Sequence, residues 1–231
     1  PDISRPRQLI REYERLSGQR LSFTAYVVTC LAQTIEKHPH LNSFVSRRHI
    51  IHLPSVTVSV LIEREIDGAA VPEPLAIENC ENKSYLEVHA AIRHAQENKD
   101  NRLGGLSNIR WIRLIPTALL KAFVRIADKN ARMGVRYGKV AVTAVGMFSK
   151  EAIWFVPHGS PTVLVSVGSI TDKVIEVNGK TEQREHLCIT VSFDHDIVDG
   201  APAARFMSDY LEEIKSGHLI KELIVDHSRT Q

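Results

Sequence analysis

Ser192-Phe193-Asp194-His195-Asp196-Ile197-Val198-Asp199-Gly200, SFDHDIVDG, decides how the rest of the chain is read. It follows Leu187-Cys188-Ile189-Thr190-Val191, an apolar and β-branched run that reads as a strand entering a core. It precedes Gly200 to Ser216, a helical pattern with Ala203, Ala204, Met207, Leu211 and Ile214 on its inner side. Asp194, Asp196, Asp199 and His195 thus crowd a strand-to-helix junction, where unpaired charge is costly to bury. Loops held by rigid elements are where catalytic groups tend to sit. His195 is the natural general base near neutral pH, because a free imidazole titrates at about 6.5. Asp199 is placed to fix the loop by pairing with an arginine, and Gly200 to give a sharp turn or a close approach to a ligand. Two plainer readings stand beside this one. His195 is a core histidine satisfied by backbone and Asp199 a helix N-cap, or His195 joins neighbouring aspartates around a metal.

Outward from the junction, the chain alternates helix and strand. Ser4 and Pro6 open a helix with Leu9, Ile10, Tyr13 and Leu16 as its stripe, and Gly18 stops it. Ser22 opens a second, more apolar helix, with Ala25, Val28, Cys30, Leu31 and Ile35 inward and Pro39 beyond its end. His49 to Leu53 and Val56 to Ile66 read as strands, Asp67-Gly68 as a hairpin turn and Ala69 to Ile77 as the return. Ser84 and Glu87 form a capping box for a helix running to about Glu97. Asn98 to Gly105 reads as a loop, and Trp111 to Asp128 as a basic amphipathic helix, either packed on the sheet or a neighbouring subunit or, with Arg110, Arg113, Lys121 and Arg125 around apolar residues, lying on a membrane surface. Strands are expected over Lys139 to Val145, Ala152 to Val156, Thr162 to Ile170, Lys173 to Val177 and Glu185 to Phe193, with Asn178-Gly179 as a hairpin turn. His38 and His40 are expected to cap the second helix, and His89 and His94 to lie on a solvated helix face. Trp154 and Phe155 read as core, interface or pocket-wall aromatics.

The 231 residues are 43% apolar and carry a net charge of +2, with no dense basic block, so neither nucleic acid nor an anionic membrane is called for. Cys30, Cys80 and Cys188 are odd in number and widely spaced, which reads as reduced, semi-buried thiols. No apolar run approaches the roughly 18 residues of a membrane span, and the polar first residues lack a signal-peptide core. A cytoplasmic location is therefore expected. The fold class expected is α/β, one domain over 1–231 with a large mixed sheet and residues 218–231 as an amphipathic tail.

Residue identities add what spacing cannot. SFDHDIVDGAPAARF, Ser192 to Phe206, closely resembles the active-site segment of the catalytic domain of dihydrolipoamide acyltransferases, the core subunits of 2-oxo-acid dehydrogenase complexes. The family pattern His-x-x-x-Asp-Gly is met by His195, Asp199 and Gly200, and the flanks match as well. Gly138 to Phe148, GKVAVTAVGMF, is similar to the family's Gly-Thr-Phe-Thr-Ile-Ser-Asn-Leu-Gly-Met-Phe, which aligns Thr143 with the family's hydroxyl residue. Thr162 to Ile170 and Leu21 to Asn42 resemble further family segments, so the likeness runs from about Leu21 to Ser216.

The resemblance implies a chloramphenicol acetyltransferase-like two-layer sandwich and acyl transfer between coenzyme A and a thiol or hydroxyl acceptor. It casts His195 as general base, Thr143 as oxyanion donor and Asp199 as a loop-shaping partner of an arginine, with Arg7 and Arg11 as candidates. It also implies a homotrimer, assembling in some relatives into a cage, with histidine and hydroxyl supplied by different subunits. Coenzyme A is then a substrate, the acceptor is a small molecule or the lipoyl domain of another protein, and no metal is expected. No lipoyl or peripheral-subunit-binding segment is read in the chain. Asp196 stands where the complex-forming enzymes usually carry arginine, which reverses a charge beside the base. The alternative reading is a catalytically idle trimer that serves as a scaffold or binding module.

Overall fold

The computed structural model describes residues 1–46, 48–66, 69–97, 134, 136–146, 151–177 and 179–230. The loop expected over 98–105, the basic helix over 111–128, the Asp67-Gly68 turn and Asn178 lie outside them.

Helix starts follow the sequence signals closely. In α1 (Ser4–Ser17) the Ser4 N–H donates to Asp2 Oδ1 at 2.9 Å, and Gly18 closes the helix with φ 71°. The Ser4 hydroxyl does not cap it; that oxygen accepts from Glu185 N at 2.8 Å and ties the helix to the sheet. In α2 (Phe23–Lys37) Ser22 accepts from Ala25 N at 3.3 Å, as expected of an N-cap. That helix is buried on nearly all sides, so Thr29 and Thr34 turn their hydroxyls back onto the carbonyls of Ala25 and Cys30. Before α3 (Tyr85–Glu97) the capping box is reciprocal: Glu87 Oε2 accepts from Ser84 N at 2.8 Å and Ser84 Oγ from Glu87 N at 3.3 Å.

Strands β1 (Ser43–Ser46) and β2 (His49–His52) form a small antiparallel pair, of which β1 was not expected. The main sheet holds β3 (Val58–Ile66), β4 (Ala69–Ile77), β5 (Val140–Ala144), β6 (Val163–Val177) and β7 (Lys180–Phe193) in the order β4-β3-β5-β6-β7. Its outer pairs are antiparallel and its inner pairs parallel, so the sheet is mixed. The two strands expected over 162–177 are one, with a register irregularity between Val167 and Ile170.

Alternation gives the sheet two unlike faces. Val58, Val60, Ile62, Val140, Val142, Val163 and Val165 join the core with α2 and α3. Helix α4 (Gly200–Ser216) seals the same layer, but its inner side is Phe206, Tyr210 and Ile214, whereas Ala204 is exposed. The aromatic stripe wins because it buries more area: Phe206 stacks on Tyr210 at 5.7 Å and meets Phe193 edge-on at 5.8 Å. Tyr26 on α2 donates to Ile214 O at 2.8 Å and accepts from Gly217 N at 3.1 Å, clamping the end of α4. The tail is a further helix, α5 (His218–Thr230), laid against α1 with Tyr13 and His227 ring centroids 6.0 Å apart.

The opposite face presents Ser59, Leu61, Ala141, Thr143, Leu164 and Ser166 by the same alternation. Across it runs an extended strap, residues 152–157, where a strand was expected. The strap is held by a few separate bonds rather than by a ladder: Ser169 N donates to Ile153 O at 3.4 Å, Ser169 Oγ accepts from Ile153 N at 2.9 Å, and Ser192 Oγ donates to Pro157 O at 3.2 Å. Gly168 makes the crossing feasible, since a Cβ there would stand 2.4 Å from Ile153 O.

Both sheet edges are altered. On β4, Pro72 and Pro74 oppose Glu63 and Leu61 and lack N–H groups. Along the free side of β7, Ile3 N donates to Glu185 O at 2.8 Å and Leu187 N to Pro1 O at 2.9 Å. The three cysteines are free and fully buried, beyond the semi-burial expected; burial pushes the Cys30 thiol up and that of Cys80 up to about 12. Among the described residues no helix is long and apolar enough to cross a membrane.

Candidate active site

The crowded junction resolves into separate tasks. Asp194 is its knot: its N–H donates to Thr162 O at 3.0 Å, and its carbonyl accepts from Ile197 N and Val198 N. Its Oδ1 also accepts from Asp196 N at 3.0 Å, which bends the chain around His195. Val198 is 2% exposed and anchors the loop in the core. The His195 and Asp199 side chains are 84% and 86% exposed, so the core-histidine reading fails and no charge is buried here.

Asp199 occupies the N-cap position of α4, but its carboxylate makes no capping hydrogen bond. Instead Oδ1 lies 3.8 Å from His195 Nδ1, too long for a hydrogen bond. Arg7 and Arg11 are not its partners. Both bind Glu185, with Arg7 Nε at 3.2 Å from Oε1 and Arg11 Nη1 at 3.1 Å from Oε2, because α1 packs along β7. The expected sharp turn at Gly200 is also absent: its φ is not positive, and a Cβ there would meet nothing within 4 Å. Among the described residues no cluster of three or more His, Cys, Asp or Glu could hold a metal ion.

Thr143 lies elsewhere. It sits on β5, level with Leu61 of β3 and Ser166 of β6, on the sheet face opposite the described helices. It opens onto a groove of about 430 Å³ that Leu61, Pro74, Ala141, His158 and Leu164 help to line. Register fixes how far this is from the histidine. Ser166 pairs with Thr190 on β7, and His195 comes five residues after Thr190, so the two sites are two strands apart laterally. β7 ends at Phe193, so at about 3.3 Å per residue the strand carries the chain about 10 Å past Thr190 before the turn that holds His195. One chain therefore does not bring His195 and Thr143 together.

The residues around the groove were only partly visible in sequence. Trp154 is 56% exposed, Phe155 37% and Leu61 43%, so the two aromatics are not core residues of this chain. His158 had no spacing signal; the strap alone carries it to Thr143. The other histidines split. His38 caps α2 as expected, its N–H donating to Ile35 O, and its Nε2 lies 2.8 Å from Asp209 Oδ2. His89 is buried rather than solvated, and its Nδ1 accepts from Ser22 N at 3.1 Å. Burial, aided by Arg93, holds its imidazole below the ordinary value. His40 is held down in the same way by burial and then by His38, Arg205 and His52.

Known proteins share this arrangement of strands and helices. The acetyltransferase component of the acetoin cleaving system of Bacillus subtilis is 27% identical over 210 residues, covering 90% of this chain and 45% of that protein. The chain thus spans less than half the length of that relative. The cubic core of the pyruvate dehydrogenase multienzyme complex superposes with a TM-score of 0.64 at 16% identity, over 95% of this chain and 80% of that one. Chloramphenicol acetyltransferase superposes with a TM-score of 0.51 at 12% identity, over 93% and 85%. The sandwich expected from the sequence is therefore the fold observed. The family model of the 2-oxoacid dehydrogenases acyltransferase catalytic domain matches residues 2–106 and 127–220, and with most of its length so accounted for the chain belongs to that family.

Proposed function

We propose that the chain forms one acyltransferase domain, moving an acyl group between coenzyme A and a thiol acceptor of the dihydrolipoyl class. The observation that carries this reading is the separation of an exposed imidazole from a hydroxyl in an apolar groove, at opposite ends of one sheet. Each half is open, and each lacks what the other supplies. A second copy docked on the open face, where Leu61, Trp154 and Phe155 are exposed, would bring a foreign His195 to Thr143. A trimer closes such head-to-tail contacts into a ring. The superposition on a cubic core supports further assembly of such trimers. The Bacillus subtilis relative is a dihydrolipoyllysine-residue acetyltransferase, which supports a lipoyl acceptor carried by another domain or protein.

The chemistry then follows from the residues. His195 takes the proton from the acceptor thiol as the sulfur attacks the thioester carbonyl. The carbonyl oxygen becomes an oxyanion, and the Thr143 hydroxyl donates to it. When the tetrahedral adduct collapses, the carbon–sulfur bond to coenzyme A breaks and the imidazolium returns its proton to the leaving thiolate. The walls of the groove choose the acyl group, where a methylene is worth about 1–3 kcal/mol.

The test is turnover of a panel of acyl-CoAs with dihydrolipoamide, free coenzyme A being separated from its thioester by chromatography. Thr143→Ala is expected to lower kcat by about 10²–10³-fold and Thr143→Ser to restore most of it. Wild-type protein that turns over no acyl-CoA with any thiol, and is not stabilised by coenzyme A, would refute the reading and leave the scaffold.

A further inference from the structure

Thr143, Ser166 and Thr190 form one row across β5, β6 and β7 through the pairings Thr143–Ser166 and Ser166–Thr190. Residues in such a row share a face of the sheet. The middle one is anomalous. Ser166 is 1% exposed, and its Oγ is buried with no hydrogen-bond partner. A hydroxyl removed from water without a partner is destabilising, and such groups are few in folded proteins. The burial has a visible cause. The strap is tied to Ser169 at one end and Ser192 at the other, so residues 153–157 pass over this stretch of β6 and shut the hydroxyl in. The neighbouring Thr143 remains half-exposed at the groove.

We propose that Ser166 is a positioning residue for acyl transfer: its O–H donates to Thr143 Oγ1 and turns the Thr143 O–H toward the oxyanion. This rests on the reading in which Thr143 is the oxyanion donor. A hydroxyl has one proton and two lone pairs. If Thr143 gives its proton to the oxyanion, only its lone pairs remain to be satisfied, and Ser166 has a proton with nowhere else to go. Adjacent strands lie about 4.8 Å apart, so a rotamer change closes the gap between the two hydroxyls. The chain of two hydroxyls polarises cooperatively as charge grows on the oxygen. Because Ser166 is unpartnered at rest and partnered when the oxyanion forms, its contribution falls on kcat rather than KM.

The experiment is a double-mutant cycle on the assembled protein, read by steady-state kinetics and thermal unfolding. Ser166→Ala is expected to lower kcat about tenfold with KM unchanged. In a Thr143→Ala background the same change should cost nothing further. Ser166→Thr, which keeps the hydroxyl, should retain most of the rate. Tm should stay level or rise in Ser166→Ala, since an unpartnered hydroxyl is removed; a merely structural hydroxyl would lower it. An unchanged kcat, or an equal fold-loss with and without Thr143, overturns the role. Loss through Thr190 instead would appear as non-additivity with Thr190→Val and none with Thr143→Ala, which also overturns it. Wild-type protein without turnover overturns the underlying reading and this inference together, and is told apart because His195→Ala and Thr143→Ala then change nothing.

Discussion

The two faces of the main sheet are made of the same strands and obey opposite rules. On one, Val58, Val60 and Ile62 interleave with Val140, Val142, Val163 and Val165, and helices exclude water from them. On the other, one residue further along each strand, come Leu61, Thr143 and Ser166, covered in part by a strap held by two serines. The first face answers to packing alone. The second keeps hydroxyls, exposed aromatics and a groove that add nothing to the chain's own core. The difference teaches where to look for chemistry in this molecule: on the side that the described helices leave uncovered.

That contrast can be broken or sharpened. The largest expected effect belongs to His195→Ala, which should cut kcat about 10²–10⁴-fold. Because the side chain is 84% exposed, Tm should not move; a large drop in Tm would mean that the loop, not the base, had been lost. Next comes Phe206→Ala on the covered side. Its ring is fully buried against Phe193 and Tyr210, so urea titration should show a loss of about 3–5 kcal/mol in unfolding free energy. A smaller contrast sets two neighbours against each other. Val60→Ala should cost about 2 kcal/mol by transfer and cavity terms, whereas Leu61→Asp should leave the circular dichroism of the subunit intact and shift sedimentation toward the monomer. Equal effects at both positions would erase the distinction between the faces.

The smallest effect is a pH dependence on the covered side. His89 has an imidazole held below the ordinary value of 6.5 in the folded protein, chiefly by burial and then by Arg93. The unfolded chain therefore binds the extra proton. The contribution to stability is fully present above the unfolded value and is lost as the pH falls from there through the depressed folded value. At His89 protonation also removes the Nδ1 lone pair that accepts from Ser22 N. Denaturation midpoints at pH 7.5 and 5.0 should differ less in His89→Gln, whose amide oxygen can still accept, than in the wild type.

Much of this was legible in sequence because local chemistry decides it. Ser22, the Ser84/Glu87 box and Gly18 each act within one turn, and each does what its type predicts. The strand-to-helix junction and the long β6–β7 hairpin were likewise written in patterning. What failed depends on distant partners. The 152–156 run has strand composition, yet its polar backbone is met by Ser169 and Ser192 side chains that no local rule supplies. The inner side of α4 was only partly legible: Ile214, Ala203 and Met207 turn inward as expected, but Ala204 is exposed, and the facing Phe193 selects Phe206 and Tyr210 as well. His89 looked solvated until α2 was packed over it, and Arg7 and Arg11 were drawn to Glu185 by a helix laid along β7. For the site itself, residue types named His195 and Asp199 and the family resemblance added Thr143, but the separation of His195 from Thr143 within one subunit required the register.

The rims of the sheet carry a last consequence. A bare outer strand offers a ladder of amides on which another chain can crystallise, strand upon strand, without limit. Here Pro72 and Pro74 withhold donors along β4, and Pro1 and Ile3 take up Leu187 N and Glu185 O in the middle of β7. Both borders are thereby made poor templates for lateral growth into a fibre. Self-association is left to broad surfaces, which can meet by rotation and stop at a finite, closed number of copies.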